Sequence, residues 1–285
     1  MISLKYINLN NCESITELPE FCTPSLKELY ISHCKNLVKV HESVGFLDKL
    51  QKWTLKDCEK LQKLPNYLRL ISLKYINLNN CESITELPEL CTPRLKQLYL
   101  SHCKNLVKIH ESVGFLDKLE RWNLEGCRKL QILPNCLKLI SLKYICLNKC
   151  ESLAELPELY TPSLKKLYLS HCTLSVKKLY LSQIKNLDSL SFEGKKNIIE
   201  LELLMKPEYF PVLNFLNLSE TNTVSIPESL SRFANLAVLK IRNCKQLREI
   251  PRLPQSVREV DVRNCYSLNE QSSSRLLNQV SLSFF

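Results

Sequence analysis

The chain repeats itself, and that constrains its fold more than any other feature. Residues 3–71 and 72–140 have equal length and differ at only 14 positions, and a third, partial copy starts at Ser141. Inside each copy a shorter unit recurs. Its first apolar position falls at Leu4, Leu26, Leu50, Leu73, Leu95, Leu119, Leu142 and Leu164, in steps of 22 to 24 residues, and returns at Leu213, Leu236 and Val257. A period of this size marks a stack of similar units, each touching only its neighbours.

The unit reads L-x-x-L-x-L-x-x-C, as in Leu4-x-x-Ile7-x-Leu9-x-x-Cys12 and Leu26-x-x-Leu29-x-Ile31-x-x-Cys34. A second half, C-x-x-L-x-x-L-P, follows, as in Cys58-Leu61-Leu64-Pro65. The L-x-L alternation has period two, so it predicts a short strand with leucines inward and x residues outward. One coil cannot bury its own apolar face, whereas stacked coils bury a continuous core. About 12 coils at ~4.8 Å per strand predict a parallel sheet roughly 50–60 Å long. The proline after the last leucine donates no ladder hydrogen bond, which suits a return segment. This pattern resembles the leucine-rich repeat. The fold class expected is α/β: a leucine-rich-repeat solenoid, or horseshoe, with a parallel concave β-sheet and an irregular or short-helical convex side.

Residues 1–285 read as a single domain of these repeats, regular over 1–172 and 213–268 and irregular over 173–212. In the irregular stretch Val176-Lys-Lys-Leu-Tyr-Leu echoes Lys165-Lys-Leu-Tyr-Leu after too few residues to close a coil. Coil starts at Leu164, Leu187 and Leu213 are favoured, with the echo on the return side. Residues 269–285 read as a truncated exit segment, and Met1 opens already in register, as in a fragment of a longer protein.

Leucine supplies 56 residues and glycine only 4, and 45% of the chain is hydrophobic against 24% charged. That balance excludes wholesale disorder. No run approaches the ~20 apolar residues a bilayer crossing needs, and no basic head precedes an apolar run, so neither a membrane span nor a secretory signal is expected. The net charge of +10 is spread evenly along the chain, with 10 basic and 8 acidic residues in 3–71 and 10 and 7 in 72–140. A nucleic-acid binder concentrates such charge. The expectation is a solvated surface, with no nucleic-acid or membrane partner.

Ten of the 14 cysteines, at 12, 34, 58, 81, 103, 127, 150, 172, 244 and 265, hold the same slot in successive coils. One per coil, with no C-x-x-C, is the spacing neither of disulfides nor of tetrahedral zinc. Buried there, a thiol acts as a small apolar residue, and free thiols in such number suit a reducing compartment. His33, His102 and His171 precede slot cysteines, while His41 and His110 stand where other coils have proline, so all five are expected at the surface. No second histidine completes a zincin motif after His41 or His110, and no phosphate-binding loop or nucleophile elbow occurs. No catalytic, cofactor or metal site is therefore expected, and the chain is expected not to be an enzyme. The lone sequon, Asn217-Leu218-Ser219, falls inside a predicted strand.

The period, the cysteine slot and the L-P ending resemble the repeats of plant TIR-type nucleotide-binding leucine-rich-repeat disease resistance proteins. Leu216-Asn-Leu-Ser-Glu-Thr-Asn-Thr-Val-Ser-Ile-Pro and Leu239-Lys-Ile-Arg-Asn-Cys-Lys-Gln-Leu-Arg-Glu-Ile-Pro carry the similarity, as does Cys34-Lys-Asn-Leu-Val-Lys-Val-His-Glu-Ser-Val-Gly-Phe-Leu. The resemblance implies a cytoplasmic recognition module, with nuclear shuttling left open. Its partners would be a pathogen effector or a guarded host protein, with intramolecular contacts to a nucleotide-binding domain in a full-length receptor. It also implies a share in autoinhibition and defence signalling. The family's NAD-cleaving and nucleotide-binding domains are not legible in this chain. A second reading is the substrate-binding repeats of an F-box ubiquitin ligase, and a third is a truncated, non-signalling fragment. Repeats of the F-box kind also use the cysteine slot, and Cys12-Glu-Ser-Ile-Thr-Glu comes near their pattern, but the period and the proline disagree.

The copies themselves point to a binding face. In the third coil the inward residues match, while outward residues differ: Gln51/Glu120, Lys52/Arg121, Thr54/Asn123, Lys56/Glu125 and Asp57/Gly126. A lane of tyrosines accompanies them, Tyr6, Tyr30, Tyr75, Tyr99, Tyr144, Tyr168 and Tyr180, with Asn8, Asn77 and Asn123 adding polar contacts. Tyrosine supplies contact area and a hydroxyl at low entropy cost. These residues, with Lys52, Thr54, Lys56, Arg121 and Glu125, are the candidate partner-binding set.

Overall fold

A computed structural model describes residues 3–173, 184–195 and 205–282, with side chains to 279. Twelve three-residue strands form one parallel sheet in which sequence order is spatial order. They are β1 Tyr6–Asn8, β2 Glu28–Tyr30, β3 Lys52–Thr54, β4 Tyr75–Asn77, β5 Gln97–Tyr99, β6 Arg121–Asn123, β7 Tyr144–Cys146, β8 Lys166–Tyr168, β9 Ser189–Ser191, β10 Phe215–Asn217, β11 Val238–Lys240 and β12 Glu259–Asp261. The chain is a leucine-rich-repeat solenoid. β8, β9 and β10 follow Leu164, Leu187 and Leu213; the echo at 176–181 lies outside the described residues.

The central residue of each strand points into the coil. Leu29, Trp53, Leu98, Trp122, Leu167 and Leu216 are fully buried, as are the apolar residues two positions on, such as Ile31, Leu55, Leu100 and Leu124. The end coils show what stacking does. Residues 3–20 repeat identically as 72–89, yet Leu4 is 40% exposed while Leu73, with a coil on its other side, is 0% exposed. At the far end Val257, Val260 and Val262 are only partly buried. Helix α1, Glu270–Leu282, packs on the return side there. Ser272 Oγ accepts the Ile250 N–H at 3.0 Å, and Gln279 bonds both backbone groups of Leu253 at 3.1 and 3.0 Å.

Each coil turns after its strand through one residue with left-handed backbone. Asn11, His33, Asp57, Asn80, His102, Gly126, Lys149, His171, Gly194, Glu220, Asn243 and Asn264 all have φ between 55° and 74°. Asparagine, aspartate and glycine tolerate that region best. The turn delivers the slot thiol beneath the strand of the coil before. Cys58 Sγ donates to Ile31 O at 2.9 Å, Cys81 to Leu55 O at 3.1 Å, Cys103 to Leu78 O at 3.1 Å and Cys127 to Leu100 O at 3.0 Å. The same bond recurs from Cys34, Cys150, Cys172, Cys244 and Cys265. The slot cysteine is therefore more than a small apolar filler, because it satisfies a carbonyl of the neighbouring coil. Burial pushes the Cys58 thiol up to about 12 and raises Cys81 and Cys103 well above the ordinary thiol range. All 14 cysteines are free.

The ninth coil departs from the rule. Its slot holds Lys195, which is 3% exposed. Desolvation pulls its ammonium down from 10.5 to about 8, with the Cys172 thiol beneath it opposing the shift. In the tenth coil Thr221 fills the slot, its hydroxyl donating to Leu218 O at 2.8 Å.

The convex side carries two-residue parallel strand pairs and 3-10 turns at Glu42–Phe46, Glu111–Phe115 and Glu228–Arg232. Two of the five histidines expected at the surface are half-buried caps here. His41 Nδ1 accepts the Ser43 N–H at 3.2 Å and His110 Nδ1 that of Ser112 at 3.2 Å, while Pro227 holds the third turn with extended backbone alone. The imidazole nitrogen supplies an acceptor that proline lacks, which explains the exchange. His33, His102 and His171 are exposed.

Two outcomes follow. Cys103→Ala removes the second donor from the Leu78 carbonyl, which keeps the Cys81 N–H at 3.1 Å, empties the thiol's space in the core, and should lower unfolding free energy by about 1–2 kcal/mol. Cys12→Ala, whose half-buried thiol makes only a 3.9 Å contact with the Asn10 carbonyl of its own coil, should cost under about 0.5 kcal/mol. Denaturant titration of both variants checks this; equal losses would remove the thiol bond from the account. Lys195 carries the opposite sign. Below pH 8 its buried ammonium opposes folding, and the penalty disappears as pH rises from about 8 toward the unfolded 10.5. Lys195→Met should therefore gain about 2–3 kcal/mol at pH 7 and lose most of that advantage by pH 10. A difference that does not change with pH would contradict this.

The concave face as a candidate recognition surface

In-register pairing turns each outward position into a column running across the sheet. The first outward column reads Tyr6, Glu28, Lys52, Tyr75, Gln97, Arg121, Tyr144, Lys166. The second reads Asn8, Tyr30, Thr54, Asn77, Tyr99, Asn123, Cys146, Tyr168. The tyrosines alternate between two columns and meet diagonally in three pairs. Tyr6 and Tyr30 have ring centroids 5.3 Å apart, Tyr75 and Tyr99 5.5 Å, and Tyr144 and Tyr168 5.7 Å. Their tilted and edge-on geometries are the ones aromatic pairs prefer. Tyr180 lies outside the described residues.

Cations fill the gaps between pairs. Lys52 Nζ stands 5.0 Å from the Tyr30 ring and 5.4 Å from that of Tyr75, while the Arg121 guanidinium lies 4.6 Å from the Tyr144 ring. Contact with the Tyr30 hydroxyl holds the Lys52 ammonium above its ordinary range. Tyr30 OH in turn donates to Glu28 Oε2 at 2.7 Å, which is the main reason its own ionisation is pushed up. Tyr6, Tyr30, Lys52, Tyr75 and Tyr99 thus form one continuous line over the first five coils, and Arg121, Tyr144 and Tyr168 continue it.

Other members of the predicted set have different work. Thr54 is not an outward contact: it is 8% exposed, and its hydroxyl pairs with Ser32 Oγ at 2.9 Å. A short side chain bonded to its neighbour lies flat against the sheet, a contact the alternation pattern does not encode. The asparagines serve the turn after the strand. Asn8, Asn77 and Asn123 Oδ1 accept backbone N–H groups of Asn10, Asn79 and Glu125 at 3.0, 2.9 and 3.1 Å, and Asn77 Nδ2 also donates to Tyr75 OH at 3.1 Å. Lys56 is exposed and 3.6 Å from Asp57, while Glu125 is half-buried. The sequon residue Asn217 is 8% exposed and bonded to Glu193 and Ser219, which leaves its amide no room for a glycan.

The copy difference Asp57/Gly126 has a packing reason. Asp57 Oδ2 lies 3.1 Å from His33 Nδ1, whereas the His102 ring sits so close over Gly126 that a Cβ there would stand 2.4 Å from it.

The lysines of the positively charged surface are exposed, and part of that surface is ordered into a column. Even spacing at the coil period is what builds a column. The residues entering the strands are Lys5, Lys27, Gln51, Lys74, Lys96, Glu120, Lys143 and Lys165, and each backbone N–H from Lys27 onward donates to the carbonyl before it. Glu120 pairs with Lys96 at 3.3 Å and Lys143 at 2.8 Å, and their ammonium groups hold its carboxyl below the ordinary range. Gln51 offers Lys27 and Lys74 no such carboxylate. The run ends after Lys165, since Asp188, Asn214 and Ala237 continue the column. Among the described residues no group of three potential metal ligands occurs, and no helix is long and apolar enough to cross a membrane.

Relatives point the same way. The chain is 27% identical over 248 residues to the disease resistance protein RPS4B of Arabidopsis thaliana, a match covering 86% of this chain and 18% of that protein. It is 26% identical over 295 residues to the TMV resistance protein N of Nicotiana glutinosa, covering 91% and 25%. It is 30% identical over 196 residues to the disease resistance protein RPP5 of Arabidopsis thaliana, covering 60% and 13%. This chain is similar to the leucine-rich repeats of plant TIR-type nucleotide-binding disease resistance proteins. It spans at most a quarter of the length of these three relatives. No family model matches it. Among solved structures, the leucine-rich-repeat ectodomain of the Arabidopsis thaliana membrane receptor kinase GASSHO1/SCHENGEN3, in complex with CASPARIAN STRIP INTEGRITY FACTOR 2, superposes with a TM-score of 0.51 at 18% identity, covering 84% of this chain and 33% of that one. That likeness concerns the fold.

Proposed function

We propose that this chain is the protein-recognition module of an intracellular plant immune receptor, and that it binds a pathogen effector or a guarded host protein on the concave face of its first eight coils. The observation that carries this reading is the line of three tyrosine pairs with Lys52 and Arg121 between them, half-buried except for the exposed Tyr6 and Arg121, and open to solvent on one side. Aromatic and arginine side chains of that kind dominate protein interfaces, at ~2 kcal/mol or more for each anchor. The chain's similarity to resistance proteins supports the biological setting. A cytoplasmic or nuclear location, a share in autoinhibition and the absence of enzyme activity belong to the same proposal. The strand core fixes the columns, so the ligand side chains stand on a rigid support.

Tyr99→Ala with Tyr168→Ala removes one ring from each of two pairs without entering the core. A partner recovered by co-purification should bind this variant at least tenfold more weakly while thermal unfolding changes by only a few degrees. Unchanged affinity would move recognition away from the concave face.

A further inference from the structure

The spacing of the tyrosine pairs specifies what lies against them. The pairs span coils 1 and 2, coils 4 and 5, and coils 7 and 8, so equivalent points recur every three coils. Three strand spacings amount to about 14 Å. An extended polypeptide running across the strands advances ~3.3 Å per residue, so its residues i, i+4 and i+8 fall about 13 Å apart and project from the same side. The two cations stand in coils 3 and 6, midway between successive pairs, where residues i+2 and i+6 would project.

We propose that the tyrosine pairs are a ruler for an extended segment of a protein partner, with an apolar side chain at every fourth residue and a carboxylate midway between them. This deepens the reading of the concave face and rests on it. Each apolar side chain would sit on a tyrosine pair, and each carboxylate would meet Lys52 or Arg121. The third-coil comparison fits: Lys52 and Arg121 differ between the copies and keep their charge, whereas Lys56 and Glu125, off the line, reverse it. The unneutralised Lys27 and Lys74 beside the first five coils add attraction for an acidic segment. A single-stranded nucleic acid fits less well. Its phosphates recur at every step, and Glu28 and Glu120 stand in their path, whereas a peptide can place neutral residues there. The rings also pack against one another, leaving hydroxyls and edges rather than free faces for bases to stack on.

The test is a dye-labelled peptide, Leu-Ser-Asp-Ser-Leu-Ser-Asp-Ser-Leu, titrated into the full chain by fluorescence anisotropy at low salt. Adding one serine to each Leu-to-Leu interval should weaken binding at least tenfold, and so should replacing both aspartates by lysine. Lys52→Glu with Arg121→Glu should reverse the preference, so that the lysine peptide becomes the tighter ligand. Lys138→Glu, on the convex side, should change nothing. Failure of the first peptide to bind, indifference to spacing, unchanged preference in the charge-reversed variant, or tighter binding of a nine-nucleotide single strand would each overturn the ruler. A co-purified partner that still depends on Tyr99 and Tyr168 would in that case leave the concave-face reading standing.

Discussion

Everything in this molecule depends on one contact repeated from coil to coil: a strand laid in register on the strand before it. Two devices hold the register. A left-handed residue ends each strand and turns the chain under the sheet. The thiol that follows then donates to the carbonyl of the residue just past the strand of the preceding coil. A coil slipped by one residue would lose both the thiol bond and its buried leucines. Lys195 shows the rule by breaking it. A cation stands where a thiol belongs, and burial pulls its ionisation down from 10.5 to about 8.

Register converts sequence into columns, and columns carry the candidate function. Residues about 23 apart in sequence become neighbours about 4.8 Å apart in space. Three tyrosine pairs, the bridging Lys52, Arg121 beside Tyr144 and a run of lysines are therefore brought onto one face although no window of sequence contains more than a fragment of them. Both the tyrosine pairs and the lysine run stop at the eighth coil among the described residues, at Tyr168 and Lys165. Beyond it the outward positions carry no tyrosine among the described residues, and their one cation–aromatic contact is Lys240, 5.5 Å from the Phe215 ring.

The solenoid itself was legible in the sequence because its core obeys a strict alternation and its period is short. Positions such as Leu29, Leu98 and Leu167 needed only the L-x-L pattern to be placed inside. The outward residues were legible by side but not by role. Thr54 and Tyr30 occupy equivalent positions, and only the hydroxyl of Ser32 next door makes one of them part of the sheet. The tyrosines' two strand positions are legible in the alternation, but their diagonal meeting depends on strand spacing. The lysine column is hidden from a linear count for a related reason, since only the coil period brings its members side by side. The cap role of His41 and His110 had a signal, the neighbouring serine two residues on, that a search for metal or catalytic motifs passes over.

Hydrogen exchange of the strand amides tests the central claim most directly. The N–H groups of Ile31, Leu55, Leu78, Leu100 and Leu124 each donate to the strand of the next coil, at 2.8 or 2.9 Å. If register is held throughout, these amides should form one block of slow exchange at the stability of the whole array, with protection falling toward Leu9 and Ile241 at the ends. Fast exchange at Leu78 or Leu100, in the middle of the two copies, would mean that the coils are not stacked as one continuous sheet, and the columns would go with it.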